Sequence, residues 1–156
     1  MDERRTLEEI PRCEALRLLA GAPMGRVVFT ERALPAIRPV NHVLDGGNVV
    51  IRTNLGSAIA SAVAHRPDMV VAYQADTIDA GTRTGWSVVV TGVARLVVDP
   101  HDTARYETLL RPWVDQENDC VVQIRPDIVS GYRLTADPKG TVPGSAVPGD
   151  AARGAA

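Results

Sequence analysis

The sequence predicts a mainly β (α+β) protein, a small antiparallel barrel of six or more strands with short flanking helices. Three observations carry this. The 156-residue chain is 45% hydrophobic yet holds only two Trp, three Tyr and one Phe, so its core must be built of Val, Leu, Ile and Ala, and Val-rich runs favour strands. The candidate strands follow one another through hairpin-like connections, which implies antiparallel pairing. Several of them are apolar on both faces, which suits a barrel wrapped by helices or by a second subunit.

The first twenty residues read as helical. Thr6-Leu7-Glu8-Glu9 has capping-box spacing, and Pro11 interrupts any long helix. A cleaner helix runs from Pro11 to Ala20, with Cys13, Leu16, Leu19 and Ala20 on one face and Gly21 at the C-cap. Residues 25–30 form the first strand and 36–44 the second. Asp45-Gly46-Gly47-Asn48 is a hairpin turn, because glycine takes positive φ without a steric cost. A third strand covers 48–53. A short helix at 57–65 is ended by Arg66-Pro67-Asp68. Residues 69–76 are a strand, and 77–85 a polar loop containing Gly81 and Gly85. One long strand, 86–98, is bent at Gly92. Asp99-Pro100 is an N-cap followed by a first-turn proline, opening a helix through Leu110. Strands at 120–125 and 131–135 complete the set. Residues 1–136 thus make one domain. Residues 137–156, with three prolines, four glycines and no aromatic, bury too little apolar surface to offset ordering entropy and read as a flexible tail.

Composition excludes several function classes. A net charge of −2 gives no basic field for nucleic acid. No apolar run approaches the roughly 20 residues that span a bilayer, and Met1-Asp2-Glu3-Arg4-Arg5 lacks the apolar segment of a signal peptide. Cys13 and Cys120 make no disulfide framework. The expectation is a soluble, cytoplasmic protein. His42, His65 and His101 are scattered without cysteine or carboxylate at ligand spacing, so no metal site is expected. There is no Gly-x-Ser-x-Gly elbow, Walker loop or dinucleotide fingerprint.

The segment that carries chemistry is the handover from strand to helix at 51–57. Arg52 supplies a permanent cationic fork, Thr53 and Ser57 supply hydroxyls, and Ser57 can cap a helix whose first N–H groups point outward. These are the parts of a phosphate site. The same residues in a bland reading are a solvated arginine, a β-former and a plain helix cap. Asn41 interrupts a strand and needs amide partners, which a ligand edge or backbone could provide. His42 points to the opposite face by alternation, which leaves a proton-relay role in the groove to at most one of the two. Trp86 stacks on a ligand or packs in the core, and Arg83 is a loop donor candidate.

The ordered set of a helix, Gly25-Arg-Val-Val-Phe-Thr30, Pro35-Ala-Ile-Arg-Pro-Val-Asn-His-Val-Leu-Asp-Gly-Gly47, Val49-Val-Ile-Arg-Thr-Asn-Leu-Gly-Ser57 and Thr84-Gly-Trp-Ser-Val-Val-Val-Thr-Gly-Val-Ala94 resembles the pyridoxamine 5′-phosphate oxidase-like, flavin-binding split-barrel family over roughly residues 10–135. The resemblance implies a six-stranded split β-barrel, a homodimer, and FMN in the groove between subunits. It implies a small-molecule substrate or electron donor and a flavin-dependent oxidoreductase, with no membrane or nucleic-acid partner. Carried onto this chain, the cofactor-binding positions are Ile51, Arg52, Thr53, Gly56 and Ser57, with Pro39, Val40 and Asn41 beside the ring and Trp86 and Ser87 as a second contact region. Catalytic residues stay unassigned. Many relatives have lysine directly after the Gly-Ser pair, where this chain has Ala58. That departure removes a close cation from the phosphate, for which Arg52 is not an equivalent in reach. It leaves a deazaflavin, haem and a non-catalytic cofactor-binding role as alternatives.

Overall fold

The computed structural model describes residues 5–54, 58–111 and 119–136. The predicted tail therefore lies outside the described residues. The elements in chain order are β1 (Arg5–Glu9), α1 (Arg12–Gly21), β2 (Gly25–Glu31), β3 (Leu34–Val40), β4 (His42–Asp45), β5 (Asn48–Asn54), α2 (Ala58–His65), β6 (Val70–Asp79), β7 (Thr84–Leu96), α3 (Pro100–Leu109), β8 (Asp119–Ile124) and β9 (Ile128–Ala136). The sheet is antiparallel, in the order β3-β2-β6-β7-β8-β5-β4, with β9 on β7 and β1 on β9. β3 and β4, the two ends of this path, are not ladder partners. The barrel is therefore not closed by hydrogen bonds, and the fold is a split barrel.

β7 joins the two halves. Gly85 to Thr91 pair with β9, and Ala94 to Leu96 pair with β8. The exchange of partners falls at Gly92, where a Cβ would lie 1.6 Å from the Arg125 carbonyl oxygen. Only glycine lets the turn between β8 and β9 approach that closely, and the Arg125 N–H donates to Val93 O at 3.0 Å. The Gly46-Gly47 hairpin has φ of 58° and 81°, as its sequence requires. Asp99 caps α3 by accepting from the His101 and Asp102 N–H groups, again as predicted.

Four expectations are corrected. Residues 5–9 are a strand, not a helix. β1 pairs with β9 in register Arg5↔Ala136 to Glu9↔Tyr132, and Arg5 donates to Thr82 O at 2.8 and 3.0 Å. The single strand at 36–44 is broken at Asn41 into β3 and β4, which serve different halves of the barrel. β6 and β7 extend into the predicted loop, leaving residues 80–83 as the turn. α1 buries Ala15 and Leu19 while Cys13 and Ala20 are exposed, and its C-cap is Ala22 rather than Gly21, which is the last helical residue. β1 escapes pattern reading because Thr6 to Glu9 are all exposed; backbone hydrogen bonds hold the strand, so no alternation marks it.

The interior cluster contains Leu19, Val27, Val49, Ile51, Tyr73, Val88, Val90, Val122 and Ile124, with Ile59 and Val63 of α2. A second cluster, Val50, Tyr106 and Val121, lies outside β5 and β8 under α3. The branched runs at 88–90 and 121–124 are thus largely covered. Val88, Val90, Val122 and Ile124 face the interior, and α3 covers Val121.

Candidate functional site

The site lies in the split. A cleft of ≈ 200 Å³ opens between the inward face of β3, the end of β5 and the start of α2. Its floor is apolar, formed by Val27, Val40, Ile51 and Ile59, and its walls carry Arg38, Arg52, Thr53 and Asn54 with Pro39 and Ala58. Strand alternation explains who points where. Val27 is paired with Arg38 and Gly25 with Val40, so Arg38 and Val40 share the interior side of β3. Along β5, Ile51 stands opposite His42 and Val122 inside the barrel, whereas Arg52 stands opposite Val121 on the α3 side.

The structure brings together five of the predicted residues: Pro39, Val40, Ile51, Arg52 and Thr53. Gly56 and Ser57 lie outside the described residues. Asn41, Trp86 and Ser87 do not line this cleft. Asn41 Nδ2 donates to Arg111 O at 2.8 Å, just beyond α3. Trp86 packs against the interior cluster. Ser87 stands opposite Asp76 and Tyr132 on the outer face, with Gln74 Nε2 3.5 Å from its hydroxyl.

Arg52 has a second role that sequence reasoning missed. Its Nη1 donates to Leu110 O at 2.8 Å and to Glu107 O at 3.2 Å. These carbonyls end α3 and need donors, so the arginine on the cleft wall also caps that helix. α3 is fixed at a second point by Asp45 Oδ2, which accepts from Tyr106 Oη at 2.7 Å and Arg105 Nη2 at 2.8 Å. Those bonds, Arg105 first, hold the Asp45 carboxyl below its ordinary pKa.

Arg38 was also missed. Among the described residues its Nη1 donates only to the neighbouring Ile37 O, at 2.8 Å, and the guanidinium stays at the exposed lip of the cleft. The signal was available, because Arg38 sits two residues before Val40 and shares its face.

Behind Val40 lies a buried polar unit. His42 Nε2 is 2.7 Å from Leu19 O, and its Nδ1 bonds the Tyr73 hydroxyl. That hydroxyl also meets Val40 O at 2.9 Å. Burial pushes the His42 pKa down and the Tyr73 phenol well up. His42 is therefore neutral, donating from Nε2 to Leu19 O. It faces away from Asn41, as alternation predicts, and braces the strand break rather than reaching the cleft.

None of the described residues lining the cleft is an acid or base that titrates near neutrality. Asp99, His101 and Asp102 bring ligand atoms within 4.8 Å of one another, but they are exposed or half-buried and Asp99 is already the cap of α3.

The chain matches the family model described as pyridoxamine 5′-phosphate oxidase over residues 11–133. It is 54% identical over 135 residues to an uncharacterised protein of Mycobacterium tuberculosis, Rv0080, covering 85% of this chain and 89% of that one. Among solved structures it resembles a candidate pyridoxamine 5′-phosphate oxidase from Corynebacterium glutamicum, with a TM-score of 0.71 and 30% identity over 83% of this chain and 99% of the other. It also resembles an FAD-binding protein from Mycobacterium smegmatis, with a TM-score of 0.63 and 28% identity over 81% and 96% of the two chains. A split barrel with its cleft at the β3–β5–α2 corner and a family match across nearly all of the described residues lead to one conclusion: this chain belongs to the pyridoxamine 5′-phosphate oxidase family.

Proposed function

We propose that the protein binds a flavin through its FMN unit and serves as a flavin-dependent oxidoreductase, acting as a homodimer. The observation that carries this reading is the cleft itself, in which an apolar floor adjoins two arginines and a threonine beside the start of α2. That donor set fits a flat apolar ring ending in a phosphate. Arg52, Arg38 and Thr53 would hold the phosphate end, and Val40, Ile51 and Pro39 would flank the ring. Gly56 and Ser57 remain proposed contacts on the sequence pattern alone. The 28% identical relative from Mycobacterium smegmatis is an FAD-binding protein, which favours the same cofactor class.

When bound, the flavin supplies hydride or electron-pair transfer. The residues here would bind, orient and exclude water, since the described lining offers no general acid or base. That same feature favours a second reading, a carrier or sensor that binds a flavin or deazaflavin without turnover. The cleft is smaller than the roughly 300–1,000 Å³ of complete ligand pockets, which supports completion by a second copy of the chain. Trp86 and Ser87 would then contact ligand only through such an assembly.

The test is the absorption spectrum of freshly purified protein, followed by fluorescence titration with FMN, riboflavin and a deazaflavin. Saturable FMN binding with a Kd on the order of tens of micromolar or below, tighter than riboflavin, is expected. No saturable flavin binding overturns the reading. Binding without oxidation of NADPH or a reduced deazaflavin selects the carrier.

A further inference from the structure

The end of α3 is capped by the barrel and not by its own sequence. Its last turn holds no basic residue, and Leu110 leaves it in extended backbone, φ −118° and ψ 92°, rather than as a left-handed glycine. Donors to its terminal carbonyls come from the chain segments that border the cleft. Arg52 Nη1, on β5, donates to Leu110 O at 2.8 Å and to Glu107 O at 3.2 Å. Asn41 Nδ2, in the link between the β3 and β4 ladders, donates to Arg111 O at 2.8 Å. The Arg52 side chain is thus held between the negative end of a helix and the cleft it lines.

A guanidinium carries several N–H donors in one rigid plane. The nitrogen turned toward α3 therefore fixes where the rest of the fork points, and moving the Leu110 and Glu107 carbonyls moves the fork. Asn41 holds the next carbonyl along, that of Arg111. One turn earlier the helix is anchored separately, by Asp45 on Tyr106 and Arg105 and by Tyr106 packed on Val50 and Val121. Loss of the Asn41 bond is accordingly felt in the last turn, where Arg52 binds, and not along the whole helix. Asn41 follows Val40 of the cleft floor but does not line the cleft itself.

We infer that Asn41 is a positioning residue for the phosphate end of the cleft. It acts through the last turn of α3 on the direction of the Arg52 guanidinium, without touching the ligand. The inference rests on the flavin reading above and couples that site to the helix. By reciprocity, an anion held on Arg52 steadies the end of α3.

The experiment measures FMN and riboflavin affinity on the full chain, as wild type, Asn41→Ala, Arg52→Ala and the double variant. Asn41→Ala changes no charge, so a phosphate-specific loss does not come from an ion pair at position 41. It should weaken FMN by about five- to tenfold and riboflavin by less than about twofold. In the Arg52→Ala background the same change should alter FMN affinity by less than about twofold, the non-additivity of residues that act as one unit. Hydrogen exchange gives a readout without flavin. Inorganic phosphate in excess should slow exchange of the Leu110 amide, which donates to Tyr106 O at 2.8 Å. That slowing should be absent in Arg52→Ala and reduced in Asn41→Ala. Equal losses of FMN and riboflavin in Asn41→Ala overturn the inference, as does a full FMN loss in the Arg52→Ala background, which would make Asn41 a direct ligand contact. An FMN affinity unchanged by Asn41→Ala overturns it too. If no flavin binds, yet phosphate slows Leu110 exchange through Arg52 and Asn41, the coupling stands and the flavin reading falls. If FMN binds and neither FMN nor phosphate alters Leu110 exchange, the flavin reading stands and the coupling falls.

Discussion

His42 and Tyr73 meet edge to face inside the barrel, with ring centroids 4.9 Å apart at 73°, and share a hydrogen bond directly behind the break between β3 and β4. Three contacts, Leu19 O to Nε2, Nδ1 to the phenol and the phenol to Val40 O, need three protons. A neutral imidazole and one phenol supply two. Protonating His42 would complete the set, but desolvation outweighs the extra bond and its pKa is lowered from 6.5. The unfolded chain takes up a proton near pH 6.5, whereas the folded chain does so only at lower pH. The stability this group contributes is therefore complete above about pH 6.5 and is lost as pH falls toward the folded value. NMR titration of the His42 ring should give a midpoint below 6.5, and urea unfolding should show stability declining across that window. A ring titrating above 6.5 contradicts the assignment.

Tyr73→Phe tests the same unit without changing pH. The ring remains, but the single phenol proton available to Val40 O and His42 Nδ1 is lost in a buried place. A cost of about 1–3 kcal/mol is expected, measured by chemical denaturation. Because Val40 lines the cleft, flavin affinity should fall as well. An unchanged unfolding midpoint would show that the buried acceptors need no donor.

Gly92→Ala should be among the most damaging single-methyl additions in the chain. The new Cβ would meet the Arg125 carbonyl at 1.6 Å and its carbon at 2.8 Å. Both are backbone atoms, so no side chain can rotate away, and the two halves of the barrel must separate at their shared strand. We expect a loss of about 3 kcal/mol or more, seen as a large drop in the denaturation midpoint. Retention of wild-type stability would mean that the β7 bend is not set by this contact.

Arg52→Ala should act on two properties at once. It removes the donor to Leu110 O and Glu107 O, which should cost about 1–2 kcal/mol of stability. It should also weaken FMN by roughly 10–100-fold, the worth of a charge-assisted phosphate contact, while leaving riboflavin nearly unchanged. Equal losses for FMN and riboflavin would show that Arg52 acts only through α3.

Legibility in the sequence followed burial. Val49, Ile51, Val88 and Val90 are fully buried and were read from their runs of branched residues. The Gly46-Gly47 turn and the Asp99 cap were read from local chemistry that needs no partner. β1 was not legible, because its residues are exposed and its ladder partner lies more than a hundred residues away. The Asn41 break was not legible either, since it depends on β3 and β4 choosing different neighbours. For the site, identity was easier to read than direction. Arg52 lines the cleft, but nothing local shows that a helix 55 residues later offers it a carbonyl.

The homodimer prediction rests on the outer face of the sheet. Register fixes a row across the outer face of the sheet, in which Ile37 pairs with Val28, Val28 with Ala72, Ala72 with Thr91, and Thr91 with Ile128. Directly paired residues share a face, and Val27, Phe29, Val71 and Tyr73 between them point into the core, so this row points out. The residues that α1 and α2 bury belong to the interior cluster. Ile37 and Ile128 are left 54% and 61% exposed, with Val70 of the adjoining row at 58%. Exposed apolar rows of this kind mark association surfaces. Ile37→Glu changes a side chain that the barrel does not need and should leave unfolding of the isolated subunit almost unaltered. In an assembly it would bury an unpaired carboxylate. Light scattering should therefore give twice the chain mass for wild type and a single-chain mass for Ile37→Glu, with native circular dichroism in both. If the second copy completes the cleft, flavin affinity should fall in the same variant. A wild-type protein of single-chain mass, or an Ile37→Glu dimer of undiminished stability, would remove this face from consideration.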